Sequence, residues 1–354
     1  MSLVLSVNPG ATSTKAGLFR DAAPVAASAL RHADGELARC PRIADQLGFR
    51  LAAVRAFLAE AGIAPGALGA VAGRGGLLRP LESGTYAVDA AMLRDAAAAA
   101  RGEHAANLGA PMAAELAREH GCPAFVVDPV SVDELEPVAR LSGLAGIERQ
   151  SLAHALNIRA VARRHAAGLG RPLEDLALVV AHLGTGISLA ALRRGRMVDV
   201  VNPLDEGPMG PDRSGGLPVT AVVDLCFAPG AERSAVRRRL LGEGGLVSHL
   251  GTRDVAEALR RAGGGEAAAG RALEAMAYQV SKAVAGMAAA LLGRVDAVLL
   301  TGGMVHAAPL AEDLRRRVEW IAPVALYPGE DELLALAEGA ERVLHGQERA
   351  RVYG

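Results

Sequence analysis

The stretch Leu3-Val4-Leu5-Ser6-Val7-Asn8-Pro9-Gly10-Ala11-Thr12-Ser13-Thr14-Lys15 has a counterpart in mid-chain, Ala181-His182-Leu183-Gly184-Thr185-Gly186-Ile187-Ser188. In both, an apolar run meets a turn containing glycine and hydroxyl residues. A second apolar run follows, Ala16 to Phe19 in the first case and Ile187 to Leu192 in the second. Run, turn and run predict a β-hairpin. Such turns expose consecutive backbone N–H groups and hydroxyls, which can wrap anionic oxygens without steric obstruction. A third junction, Ala297 to Leu300 followed by Thr301-Gly302-Gly303, also places glycines directly after a strand-like run. Each turn alone is what an ordinary hairpin needs. Three at strand ends, with Lys15 in the first, suggest phosphate binding.

Outward from these turns the chain mixes strands and helices. Arg193 to Arg196 form a polar turn, and Met197 to Val201 a further strand. Val88 to Arg101, Ser151 to His165, Arg271 to Leu292 and Glu332 to Leu344 predict helices, with Ser151 as an N-cap of the second. The recurrence predicts two related α/β halves, residues 1–150 and 151–331. A C-terminal helix within 332–354 is expected to return to the first half. No low-complexity linker separates the halves, so close packing around a cleft is expected.

Of 354 residues, 51% are hydrophobic, 22% charged and only 3% aromatic, so Ala, Leu and Val must build the cores. The net charge of −1 and short, scattered arginine clusters argue against nucleic-acid binding. Cys40, Cys122 and Cys226 form no C-x-x-C pair, which argues against a disulfide framework or zinc site. The Met-Ser-Leu-Val opening lacks a basic n-region, and the apolar run Ala283 to Gly293 is shorter than the about 20 residues a membrane span needs. A cytoplasmic location without membrane insertion is expected. Of 38 Lys and Arg residues, only Lys15 and Lys282 are lysines. No G-x-x-x-x-G-K-[ST] and no strand-linked G-x-G-x-x-G occurs, so neither a P-loop nor a dinucleotide fold has local support.

At the level of motifs the chain resembles the butyrate kinases, in the acetate kinase branch of the sugar kinase, heat-shock ATPase and actin superfamily. The Leu3–Lys15 and Ala181–Ser188 stretches are similar to that family's two phosphate hairpins. Gly73-Arg74-Gly75-Gly76 and Arg213-Ser214-Gly215-Gly216-Leu217-Pro218 resemble its two arginine motifs. Val127-Asp128-Pro129-Val130 is similar to its aspartate motif, and Ser151-Leu152-Ala153-His154-Ala155-Leu156-Asn157 to its histidine helix. Leu300-Thr301-Gly302-Gly303 resembles the adenosine motif, and Tyr327-Pro328-Gly329-Glu330-Asp331-Glu332 the closing segment. Departures are Ala11 where Ser is usual, Thr185 where Gly or Asn is usual, and a slightly shortened stretch before Arg213.

The resemblance implies two ribonuclease-H-like, actin-like ATPase domains with an interdomain cleft. It implies reversible phosphoryl transfer between ATP and a short-chain carboxylate, butyrate foremost, with Mg²⁺ as cofactor and a homo-oligomer of at least two chains. Other short or branched acids (isobutyrate, propionate, acetate) are the near alternative. A slow actin-like ATPase with a binding or regulatory role is the alternative of another class. Implied catalytic positions are Arg74, Asp128, His154 and Arg213. Nucleotide positions are Asn8, Gly10, Thr12, Ser13, Thr14, Lys15, His182, Gly184, Thr185, Gly186, Thr301, Gly302 and Gly303. Metal-associated positions are Asn8, Asp128, Asp331 and Glu332, with Glu330 an unresolved neighbour. His104 is a secondary substrate candidate. Chemically, two anions must meet, so forked guanidinium donors are the residues such a reaction needs.

Overall fold

The computed structural model describes residues 2–40 and 42–354. The chain divides into two compact units. The first comprises Met1–Asp133, Ala155–Asn157 and Asp331–Gly354; the second comprises Glu134–His154 and Ile158–Glu330.

The first unit is built on β1 (Leu3–Pro9), β2 (Ser13–Arg20), β3 (Ala23–Arg31), β4 (Ala70–Arg74), β5 (Thr85–Ala87) and β6 (Ala124–Val127). They lie in the order β3-β2-β1-β4-β6-β5. β1 to β3 form an antiparallel meander, whereas β4 joins β1, and β6 joins β4, in parallel. Leu5, Val7, Leu18, Val54, Leu58 and Leu116 fill the core between this sheet and the helices Leu47–Glu60 and Gly109–His120. Each such side chain contributes about 1.5–3 kcal/mol by leaving water.

The second unit repeats the plan. Its strands are β7 (Ala177–Leu183), β8 (Ile187–Arg193), β9 (Arg196–Val201), β10 (Ala297–Gly302) and β11 (Val324–Pro328), in the order β11-β10-β7-β8-β9. Written from the other edge, β9-β8-β7-β10-β11 has the same senses as β3-β2-β1-β4-β6: an antiparallel meander and then two parallel neighbours. The hairpins expected at both turns are therefore equivalent elements of two related sheets. The long helix Ala267–Ala290 covers the second sheet with Met276, Val280 and Val284.

Two expectations shift. Residues 134–150, assigned above to the first half, belong to the second unit. There Glu136 N–H donates to Val198 O at 3.0 Å, the Glu134 carboxylate accepts Met197 N–H at 2.8 Å, and Arg149 pairs with Asp199 and Glu206. Ser151 does not cap a helix. The helix runs Ala155–Gly168 with His154 at its N-cap, because residue 154 is held instead by a bond from its N–H to Ser188 Oγ. In the first unit the last helix, Glu332–Leu344, lies on β1, β4 and β6.

Candidate active site

In the first unit, parallel pairing sets the ends of β1 and β4 side by side, with Val7 opposite Gly73. Asn8 and Arg74 therefore emerge together. Helix Glu332–Leu344 brings its first residue to the same point. Asn8 Nδ2 donates to Glu332 Oε2 at 2.5 Å, and Arg74 Nη1 lies 2.8 Å from Glu332 Oε1 and 3.4 Å from Asn8 Oδ1. Asn8 and Glu332 are buried, while Arg74 keeps a partly open edge. A glycine fixes the approach: a Cβ on Gly109 would sit 1.9 Å from Arg74 O, so only glycine lets helix Gly109–His120 start against this strand end.

The other expected residues of this unit are placed differently. In the first turn, Gly10 N–H donates to Ser13 O at 2.7 Å, and Thr12 and Lys15 are exposed. Thr14 turns its hydroxyl inward to His32 and Arg50. Asp128 is fully buried in the left-handed region (φ 36°), and its Oδ1 accepts Gly84 N–H at 2.7 Å, so it braces a turn. Asp331 is exposed at the N-cap of the last helix, where its side chain makes no capping hydrogen bond. His104 caps the short turn Ala105–Leu108 through Nδ1. Among the described residues no group of three or more His, Cys, Asp or Glu side chains forms a metal cage. Asn8 and Glu332 nonetheless supply adjacent hard oxygen donors, the type Mg²⁺ takes when phosphates and water complete its shell.

In the second unit, His182 on β7 faces Ser188 on β8 across the hairpin. Ser188 Oγ lies 2.8 Å from His154 Nδ1, and the His154 and His182 rings stack with centroids 3.9 Å apart. His182 Nε2 is 3.6 Å from Glu330 Oε1. The turn Gly184–Gly186 runs directly beside Arg213: a Cβ on Gly186 would lie 2.2 Å from Arg213 Nη1. The Arg213 loop is fastened from below, by Leu246 N–H to Gly210 O and Gly244 N–H to Asp212 O, at 3.1 Å each. Arg213 itself is poorly compensated. Its hydrogen bond goes to Pro203 O at 3.5 Å, its Nε has no partner among the described residues, and burial pushes its pKa down. Such a guanidinium is prepared for an incoming anion.

A cavity of about 430 Å³ opens beside the same turn, lined by Gly184, Thr185, Arg253, Gly303, His306 and Glu330 among others. Gly303 faces it. Thr301 does not reach it by its hydroxyl, which donates to Gly329 O at 3.2 Å. Gly302 (φ +99°) passes so close to β7 that a Cβ would meet Leu183 O at 2.5 Å. Arg253 and His306 carried no motif. The signal for Arg253 was the capping pattern after it: Asp254 accepts Ala256 N–H at 2.8 Å, with Glu257 three residues on.

The profile of the acetokinase family matches residues 144–325, just over half of the chain. An acetate kinase from Porphyromonas gingivalis superposes with a TM-score of 0.79 at 19% identity, covering 96% of this chain and 99% of that one. A propionate kinase from Francisella tularensis subsp. tularensis SCHU S4 gives 0.75 at 18% identity, with the same coverage. A ROK hexokinase from Thermus thermophilus gives 0.51 at 17%, covering 97% and 99%. At these identities the superpositions establish the fold: two mixed α/β sheet domains of the actin-like ATPase type. Among the described residues no helix is long and apolar enough to cross a membrane.

Proposed function

Because this chain belongs to the acetokinase family, we propose that it is a carboxylate kinase moving a phosphoryl group between ATP and a short-chain acid, with butyrate the preferred acid. The observation that carries this reading is the Arg213 guanidinium, half-buried, without a carboxylate partner among the described residues, and laid against the Gly184–Gly186 turn beside a cavity of about 430 Å³. An enzyme that only hydrolysed ATP would have no need of a second forked anion receptor such as Arg74.

The reaction joins one carboxylate oxygen of the acid to the γ-phosphorus of ATP as the bond to the ADP oxygen breaks. Charge balances without a proton: monoanion and tetra-anion become an acyl phosphate dianion and a trianion. Little covalent help is required, so rate comes from alignment and from charge placed around the equatorial oxygens. In this reading Gly184, Thr185, Gly186 and Gly303 receive the nucleotide. Arg213 neutralises the migrating group, and Arg74 engages the acid. A Ser188 O–H donated to His154 Nδ1 leaves the ring proton on Nε2, the edge that donates to a phosphoryl oxygen. Asn8 and Glu332 would hold Mg²⁺, which would supply neutralisation of phosphate charge when bound.

The test is hydroxamate trapping of the acyl phosphate with acetate, propionate, butyrate, isobutyrate and valerate under identical conditions. Apolar pockets discriminate by only about 1–3 kcal/mol per methylene, so a graded series peaking at butyrate is expected. A peak at acetate or propionate would move the substrate and keep the kinase. No hydroxamate with any acid, beside measurable ATP hydrolysis, would favour a slow ATPase.

A further inference from the structure

Arg50 lies in the middle of helix Leu47–Glu60, yet its side chain is fully buried. Every one of its donors is accounted for. Nη1 donates to Ser13 O at 3.2 Å and Thr14 Oγ1 at 3.1 Å, and Nη2 to Ala11 O at 3.2 Å and Gln46 Oε1 at 2.8 Å. Nε donates to Gln46 Oε1 at 3.1 Å. All these acceptors are neutral, and among the described residues Arg50 makes no ion pair. A cation taken from water without a counter-ion costs several kcal/mol, and hydrogen bonds to neutral oxygens offset only part of that.

Its position gives the missing charge a place. Ala11 O and Ser13 O are drawn inward by Arg50, and Thr12 O accepts His32 N–H at 3.0 Å. In a planar trans peptide the N–H points away from the C=O. Arg50 draws the Ala11 carbonyl inward and the end of β3 holds the Thr12 carbonyl, which turns the Thr12 and Ser13 N–H groups away from those partners, at a tip where Ala11 and Thr12 are exposed. His32 completes the support: its Nε2 lies 2.9 Å from Thr14 Oγ1, and its ring packs edge-on against Phe49.

We propose that Arg50 is a positioning residue that turns the Gly10–Thr14 loop into an anion receptor, by pinning its carbonyls inward and placing an uncompensated positive charge behind its outward N–H groups. Burial lowers the pKas of Arg50 and His32, and the Arg50 charge lowers that of His32 further, as a cation held inside the fold behind the loop would. The inference rests on the expectation, drawn from the resemblance of Leu3–Lys15 to a phosphate hairpin, that this loop receives phosphate oxygens of MgATP. It adds that the receptor's charge is supplied from inside the fold, by a residue that never touches the ligand.

Gln46→Glu tests it. The substitution keeps both acceptor bonds to Arg50 but gives the guanidinium the carboxylate it lacks, at the expense of one neutral bond from Gln46 Nε2 to Cys40 O. Cancelling one charge within the low-dielectric interior should weaken MgATP binding at least about tenfold. The melting temperature without ligand should stay near the parent's. Arg50→Met removes the same charge by another route and should weaken binding likewise, so a folding failure of either variant leaves the other decisive. Arg50→Lys retains charge while losing the fork; it should melt lower but bind MgATP more tightly than Gln46→Glu. A folded Gln46→Glu or Arg50→Met protein with the parent's MgATP affinity would overturn the inference and leave the kinase reading standing. A parent protein that does not bind MgATP would overturn both.

Discussion

At the scale of single residues, the decisive group is Arg213. Its only protein acceptor among the described residues is a long bond to Pro203 O. On the proposed mechanism, removing it should take little from the fold and much from the reaction. Arg213→Lys keeps the charge but loses the planar fork. It should lower kcat at least about tenfold, which is roughly 1.4 kcal/mol of transition-state stabilisation. Arg213→Ala should lower it further, since a charge-assisted contact is worth about 1.5–3 kcal/mol. Both should keep the parent's melting temperature; parental turnover in Arg213→Ala would remove the residue from the mechanism. The neighbour Asp212 makes a different prediction. It is buried, its Oδ1 has no hydrogen-bond partner among the described residues, and burial raises its pKa despite Arg253 Nη1 at 3.5 Å from Oδ2 and Arg213 alongside. A raised folded pKa means that the unfolded chain ionises more readily, so ionised Asp212 subtracts stability at neutral pH. That subtraction disappears as pH falls below the unfolded value of about 3.9. Asp212→Asn should thus melt above the parent at pH 7, with the gap closing towards pH 4. A gap that widens with acidity would contradict the sign.

At the scale of elements, two glycines in one loop system separate function from stability. A Cβ at Gly186 meets only the far end of Arg213 at 2.2 Å, and that end can swing away. Gly186→Ala should fold normally yet lose turnover at least about tenfold, because a small displacement of an aligned group is costly. A Cβ at Gly245 meets Gly210 O at 1.8 Å, from a backbone with φ +57°. Gly245→Ala cannot relax, and calorimetry should show about 2 kcal/mol or more of lost stability. Parental stability in Gly245→Ala, or parental turnover in Gly186→Ala, would refute the distinction. The hairpins themselves were legible in the sequence, because apolar runs and glycine turns are local signals. Helix Glu332–Leu344 was legible for the same reason. β3 was not: its Ala-rich stretch alternates only between exposed and half-buried positions, too weak an apolar contrast to read as a strand. The start of helix Ala155–Gly168 was misplaced at Ser151 because its true N-terminus is set by Ser188, 34 residues away. Arg50 was invisible, since an arginine in an Ala- and Leu-rich helix ordinarily marks the solvent face. Asn8, Arg74 and Glu332 were each read as candidates, but their convergence spans 324 residues and has no local trace.

At the scale of the whole molecule, the chain order matters because the first unit is finished only by the last 24 residues. Those residues act in two ways, and truncation can separate them. Helix Glu332–Leu344 buries Ala335, Leu336, Ala337 and Ala340 and delivers Glu332 to Asn8 and Arg74. The segment after it works differently. Arg351 exchanges backbone bonds with Thr85 and Ala87 at 2.8 and 3.0 Å, Glu348 accepts Thr85 N–H, and Tyr353 Oη bonds Asp95 at 2.8 Å. All of these bonds lie along β5 and the helix Ala90–Ala98, away from Glu332. A chain ending at His345 loses them, at about 1 kcal/mol each, and should melt lower by several degrees. It keeps the trio Asn8, Arg74 and Glu332, so kcat per folded molecule should match the parent's. A chain ending at Glu330 loses the helix and uncovers apolar sheet surface, a loss exceeding about 5 kcal/mol of burial. That is comparable to the whole stability of a typical domain. It should be recovered only as aggregate. The comparison is made by melting curves and by turnover normalised to folded protein. If the chain ending at His345 is stable but inactive, the tail serves the site directly and its structural assignment fails. If the chain ending at Glu330 folds and turns over, Glu332 has no place in the mechanism.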